Sequence, residues 1–79
     1  MKTIYTDTNK ILLEWLASKR MLEGITQQQL SDVLDKPQSF VSKYENGERR
    51  LDLVEAIDIC NALNADPHEL IDALKKGRK

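Results

Sequence analysis

The sequence has almost none of the residues that build disulfides and metal sites. Its 79 residues include one cysteine, Cys60, and one histidine, His68. A single cysteine cannot close an internal disulfide, and this pair offers too few soft ligands for a structural zinc ion. We therefore expect no metal and no cofactor, a buried reduced thiol at Cys60 and an exposed ring at His68.

Long apolar runs are also missing. The longest, 11–13 and 15–17, are three residues each, whereas a membrane-spanning helix needs about 20. Residues 1–10 lack the apolar centre of a signal peptide, so we expect a cytoplasmic protein. There is no repeat or low-complexity segment, and the length suits one domain over residues 1–79, with flexible ends at 1–7 and 76–79.

The patterns that serve catalysis are missing as well. No nucleophile stands beside a base, no carboxylate pair comes with a pocket to shift its pKa, and no glycine-rich loop could hold a phosphate. We therefore expect that the protein is not an enzyme.

Charge is nearly balanced overall but segregated along the chain. The net charge is -1, yet residues 52–72 contain six carboxylates and no lysine or arginine, while residues 36–50 contain four basic and two acidic side chains. The balance argues against indiscriminate nucleic-acid binding. The acidic stretch is interpreted either as a solvated face or as a surface that keeps DNA off the wrong side of the domain.

What the sequence does contain is helical periodicity, without the alternation of a half-buried strand. The fold class is therefore predicted to be all-α. Trp15 lies on the apolar face of the first helix and is interpreted as a core residue, with a partner-binding anchor as the alternative. The predicted helices cover residues 8–23, a segment from the Thr26 cap to 34, 37–45, a segment from the Asp52 cap to 63, and 67–75.

Helix-start and helix-stop signals separate these segments. Thr26 with Gln29, and Asp52 with Glu55, have the spacing of capping boxes. Gly24 and the pair 46–47 suit the left-handed conformation that follows a helix, and Pro67 suits a first helical position.

The third helix is predicted to present one polar side. At about 100° per residue, Phe40, Val41 and Tyr44 fall together as an apolar anchor. The opposite arc carries amide, hydroxyl and ammonium groups that can read base edges in the DNA major groove. The predicted base-reading residues are Gln38, Ser39, Ser42 and Lys43.

Groups that can hold a sugar-phosphate backbone flank this helix. Two short helices joined by a tight turn form a helix-turn-helix, and the start of its first helix favours an anion. The predicted phosphate-binding residues are Gln27 at that start, Lys36 in the turn, and Asn46, Arg49 and Arg50 after the reading helix.

Three stretches resemble the helix-turn-helix domain of phage Cro and repressor proteins, the XRE family. They are LASKRMLEGITQQQLSDVL, QSFVSKYENGERR and LDLVEAIDICNALNADPHELI, and the resemblance covers about residues 10–74. It implies a compact five-helix, lambda-repressor-like fold in which the polar arc faces bases and Gln27, Asn46 and Arg49 meet phosphates. It also implies a structural ion pair between Arg20 and Glu45.

The chain departs from the family pattern at two positions. Asp35 stands where the family commonly has a glycine, and Asp tolerates the left-handed conformation better than most residues. Pro37 stands where a Ser or Thr cap is usual, so we expect Asp35 or Lys36 to cap the third helix.

Two functions follow as hypotheses. The first is a sequence-specific regulator that binds double-stranded DNA at a palindromic operator as a homodimer, with Leu70, Ile71 and Leu74 as candidate interface residues. The second is an antitoxin-like or adaptor module whose main partner is another protein, such as a toxin. The pattern fits phage repressors, restriction-modification controllers and antitoxins alike.

Overall fold

The structure, a computed structural model, describes the backbone of residues 3–77 and the side chains of residues 8–77. The described chain is all-α and confirms the five-helix expectation. None of these helices is long and apolar enough to cross a membrane. Of the predicted flexible ends, residues 1, 2, 78 and 79 lie outside the described residues. The helices are α1 (Thr3–Leu22), α2 (Gln27–Val33), α3 (Ser39–Glu45), α4 (Leu53–Ala62) and α5 (Pro67–Gly77).

Two helix starts differ from the prediction. The α1 backbone is helical from Thr3, five residues before the predicted start, because no glycine or proline interrupts residues 3–8. The α3 helix begins at Ser39, with Gln38 as its N-cap and no side-chain cap hydrogen bond.

The expectation that Asp35 or Lys36 caps α3 is therefore wrong. A lysine ammonium has no acceptor for a backbone N–H, and Asp35 occupies the preceding turn with a φ of 58°. The turn is closed instead by the backbone, as the Phe40 N–H donates to the Pro37 carbonyl at 2.9 Å.

The first four helices end in the same way. Gly24, Asp35, Gly47 and Asn64 all have positive φ, as predicted for the two glycines. At each of these ends, the N–H of the next residue donates to a carbonyl five residues back: Ile25 to Arg20, Lys36 to Ser31, Glu48 to Lys43 and Ala65 to Cys60. This pair of features is the Schellman turn, which satisfies the last carbonyls of a helix.

The predicted capping boxes are confirmed. The Thr26 hydroxyl accepts from the Gln29 N–H while the Gln29 side chain accepts from the Thr26 N–H, and Asp52 pairs with Glu55 in the same way. Asp66 caps α5 by accepting from the His68 N–H at 2.9 Å, and the His68 side chain is exposed, as expected.

The core lies where α1, α3, α4 and α5 converge, and α2 closes one side. Trp15 packs against this core and is partly buried, which supports its interpretation as a core residue. Cys60 is a buried free thiol, as predicted, and burial raises its pKa. The buried residues are Leu13, Leu16, Leu30, Phe40, Val41, Tyr44, Ala56, Ile59, Cys60, Leu63 and Leu70.

Tyr44 anchors the inner side of α3. Its side chain is fully buried, and its ring meets Phe40 edge-on at 5.5 Å between centroids. The hydroxyl has no hydrogen-bond partner among the described residues, and burial raises its pKa. Packing of the ring, and not a hydrogen bond of the hydroxyl, therefore holds this residue in place.

Candidate nucleic-acid interface

Ser31 links α2 to the start of α3. Its side chain is fully buried, and its hydroxyl donates to the Gln38 carbonyl and accepts from the Val41 N–H, both at 3.4 Å. One hydroxyl thus satisfies two backbone groups at the uncapped start of α3. Because both contacts are to the backbone, they hold α3 against α2 whatever its outward side chains are.

Glu45 holds the other end of α3. Its carboxylate accepts from Arg20 Nε at 2.8 Å and from the Arg20 Nη2 group at 3.2 Å, which confirms the expected pair. Arg20 also donates to the Ile25 carbonyl at 2.8 Å, and Gln27 Nε2 donates to the carboxylate at 2.8 Å. The Arg20 and Glu45 side chains are only 13% and 9% exposed, so this network ties α1, the start of α2 and the end of α3 together.

The outward arc of α3 is open to solvent, as the helical geometry predicts. Phe40, Val41 and Tyr44 are buried on the opposite side. Gln38, Ser39 and Lys43 are exposed, and Ser42 is half-buried. The rotation of α3 that the reading hypothesis requires is therefore the observed one, whereas the contacts of these side chains with bases remain a prediction.

Gln28 is a neighbour of this arc that the sequence reasoning missed. It lines one surface depression together with Gln27, Gln38, Ser39 and Ser42. The sequence feature that could have indicated Gln28 is the run of three glutamines at 27–29. Of these three, only Gln27 was predicted to bind DNA, because it lies at the start of the helix. Only the packing of α2 on α3 brings Gln28 to the predicted reading residues.

Gln27 is less available than the sequence suggests. Its amide nitrogen already donates to Glu45, which leaves one side-chain N–H and the backbone for a phosphate. The contact of Gln27 with a phosphate remains a prediction. The structure shows in addition that Gln27 helps to hold Glu45 in place.

A second surface depression borders the outward arc and is lined by several positively charged side chains. It is lined by Lys36, Lys43 and Arg49, together with Pro37, Ser39 and Phe40. The Arg49 guanidinium lies 4.9 Å from the centroid of the Phe40 ring, and the Lys36 ammonium lies 5.4 Å from it. Cations over an aromatic face are attracted to it, so Phe40 holds two predicted phosphate ligands beside α3.

Arg49 is also paired with a carboxylate. Its Nη1 and Nη2 groups donate to the two Glu55 oxygens at 3.0 and 2.8 Å. These hydrogen bonds, first that of Arg49 and then that of the Asp52 N–H, lower the pKa of Glu55 to about 2. Arg50 and Asn46 are exposed beyond the end of α3. The predicted phosphate ligands thus lie around both ends of α3, with Arg49 held by Glu55.

This geometry agrees with two comparisons with known proteins. The helix-turn-helix family profile matches residues 16–70. The chain is also similar to an XRE-family like protein from Pseudomonas syringae pv. tomato str. DC3000, at 45% identity and a TM-score of 0.90, over 95% of this chain and 92% of that one. The chain belongs to the XRE-type helix-turn-helix family. This is a family of DNA-binding regulators, and a comparison with curated proteins finds no match.

The Arg20–Glu45 pair gives a stability prediction for this XRE-family domain. Arg20→Met should lower the free energy of unfolding by about 3 kcal/mol, because it leaves a largely buried carboxylate without its cation. Urea denaturation followed by circular dichroism measures the change. Lys10→Met removes a positive charge from an exposed site of the same helix and should change stability by less than about 0.5 kcal/mol. Equal effects of the two substitutions would contradict the structural role of the pair.

The Arg49–Glu55 pair gives a pH prediction. Because folding lowers the pKa of Glu55 from 4.5 to about 2, its contribution to stability is complete above 4.5 and is lost as the pH falls towards 2. The melting temperature of the wild type should therefore fall more steeply between pH 5 and pH 2 (the window that these pKa values define) than that of Glu55→Gln. Parallel melting curves for the two proteins over this range would contradict the assignment.

Proposed function

We propose that this protein is a sequence-specific regulator that binds double-stranded DNA, with α3 in the major groove. The observation that carries the proposal is the rotation of α3, which buries Phe40, Val41 and Tyr44 and leaves a polar arc outward. The helix itself is held at both ends, by the Ser31 hydroxyl at its start and by the Arg20–Glu45 pair at its end. A fixed helix with hydrogen-bonding side chains is what direct reading of base edges requires. The base-reading residues are Gln38, Ser39, Ser42 and Lys43.

The flanking groups position the domain on the backbone. Lys36 and Arg49 stand over Phe40 on one side of the arc, and Asn46 and Arg50 follow its end. Gln27 lies at the start of α2. Contacts from such groups to phosphates set register and orientation, while base contacts set sequence preference. A protein with this activity works where the chromosome is, and we assign it to the cytoplasm.

We propose further that the protein binds a palindromic operator as a homodimer. A single reading helix covers too few base pairs to select an operator, and two-fold dimers place two such helices about 34 Å apart or at multiples of that distance. Of the three candidate interface residues, Leu70 is in the core and Leu74 packs against it. Ile71 is 46% exposed, so it is the residue of the three that is available to a second subunit.

A protein-binding function is the second candidate. Leu53 and Val54 at the start of α4 are 70% and 67% exposed, which favours a protein contact at this point, whether with a second copy or with a partner such as a toxin. The two functions differ in their response to salt, because only binding to phosphates releases condensed counterions from DNA.

Selection from a random pool of double-stranded DNA tests the proposal. We expect enrichment of a palindrome whose half-sites are about one helical turn apart. With about five phosphate contacts per subunit, log K for the selected site should fall steeply with log salt, at about -0.9 per contact. Failure to enrich any sequence at low salt would favour the protein-binding alternative, and an asymmetric site would contradict the homodimer.

Lys43→Ala tests the reading helix at one position. Loss of a base contact should weaken binding to the selected site by about 1–3 kcal/mol and relax the preference at one base pair in each half-site. Binding titrations on the selected site and on its single-base variants measure both effects. An equal loss on every sequence would assign Lys43 to the backbone instead, beside Lys36 and Arg49 in the basic depression.

A further inference from the structure

Three contacts hold the Arg49 guanidinium beside α3. Its Nη1 and Nη2 groups donate to the two oxygens of Glu55 at 3.0 and 2.8 Å, and Nη1 also donates to the Arg50 carbonyl at 2.9 Å. Its central carbon lies 4.9 Å from the centroid of the Phe40 ring. The end of this flexible side chain therefore has a set place and plane, although the side chain is 42% exposed.

Two donors of this guanidinium are left over. The group carries five N–H bonds, and its contacts with Glu55 and Arg50 use both N–H bonds of Nη1 and one of Nη2. The other two, on Nε and Nη2, lie side by side along one edge of the planar group and have no acceptor among residues 8–77. Two parallel N–H donors on one edge match two oxygens of a phosphate.

The surroundings of Arg49 suit an anion as well. Arg49 lines the basic depression beside the outward arc, which has a volume of about 300 Å³ and is also lined by Lys36 and Lys43. None of the described residues that line this depression carries a carboxylate. Glu55 contacts the guanidinium through its Nη1 and Nη2 groups and leaves the edge formed by Nε and Nη2 open.

We propose that Glu55 is a positioning residue for DNA binding, which holds the Arg49 guanidinium so that its free edge donates to two oxygens of one backbone phosphate. The inference rests on the proposed function and assigns a part in it to an acidic residue. By charge alone, a carboxylate near the interface weakens binding to a polyanion. Positioning acts in the opposite sense, because an arginine that is already ordered loses less side-chain entropy when the phosphate binds.

Glu55→Gln tests which of these two effects is larger. Glutamine keeps the hydrogen bond that caps α4, as Gln29 does at the same position of α2, but its amide nitrogen replaces one acceptor of the Arg49 fork. We expect binding to weaken about twofold to fivefold. The factor should be the same on the selected operator and on a mixed-sequence duplex, because a phosphate contact carries no sequence information.

Glu48→Gln is the matched control for charge. Glu48 is exposed and stands next to Arg49 in the chain, and Arg49 makes no hydrogen bond with it in the described part of the chain. The variant removes one negative charge and leaves the fork intact, so it should leave DNA binding unchanged or strengthen it slightly.

The effect of Glu55→Gln should depend on the presence of Arg49. In an Arg49→Ala background, Glu55→Gln should strengthen binding slightly, because only the removal of a negative charge is left. A merely structural role of Glu55 in α4 would instead give the same loss with and without Arg49. Arg49→Lys keeps the charge without the fork, so it should weaken binding at least as much as Glu55→Gln while the dependence of log K on log salt stays that of the wild type.

Fluorescence-anisotropy titrations on the operator and on the mixed-sequence duplex measure these effects, and circular dichroism checks that each variant is folded. If the wild type binds no duplex DNA at low salt, the proposed function and the inference fail together. If it binds the duplex without selecting a sequence, the sequence-specific function fails, and a loss on Glu55→Gln still supports the inference.

Other outcomes overturn the inference alone. It is overturned if the wild type binds DNA and Glu55→Gln leaves that binding unchanged or strengthens it. It is also overturned if Glu55→Gln causes an equal loss in the Arg49→Ala background. Should Glu55→Gln not fold, Arg49→Lys decides, because an affinity equal to that of the wild type would show that the fork contributes nothing to binding.

Discussion

The contact on which the rest of the structure depends is the one between the Glu45 carboxylate and the Arg20 guanidinium. Glu45 is the last residue of α3, and its partners come from the end of α1 and the start of α2. Arg20 adds a bond to the Ile25 carbonyl between those helices. A largely buried carboxylate needs all of these donors, so it fixes the end of α3 relative to both neighbours. The outward arc inherits its orientation from this constraint.

Ser31 provides the matching constraint at the other end of α3. Pro37 stands where a capping Ser or Thr is usual, so no side chain at that position can cap α3. The buried Ser31 hydroxyl of α2 instead donates to the Gln38 carbonyl and accepts from the Val41 N–H. A seven-residue helix has too few internal hydrogen bonds to be stable alone. Its position is therefore set by these two end contacts and by the packing of Phe40, Val41 and Tyr44 in the core.

Charge is organised so that attraction to a phosphate backbone is local. The basic groups lie around α3, where Lys36 and Arg49 contact the Phe40 ring. Residues 52–72, by contrast, contain six carboxylates and no lysine or arginine. Glu55 neutralises part of the charge of Arg49 and caps α4 at the same time. This arrangement is consistent with the proposed function, in which phosphate contacts are local and base contacts set the sequence preference.

The resemblance to the XRE family implied the Arg20–Glu45 pair, which joins α1 to α3. The sequence by itself determined the five helices, most of their caps and the side of α3 that faces outward. These features depend on local hydrogen bonding and on helical periodicity, which can be recognised within short segments of the sequence. The start of α3, the Ser31 bridge, the redirection of Gln27 to Glu45 and the meeting of Gln28 with Gln38 were decided only by the tertiary structure. Each of them joins residues on different helices or across a turn, and the angle between packed helices, which sets those distances, is a property of the assembled core.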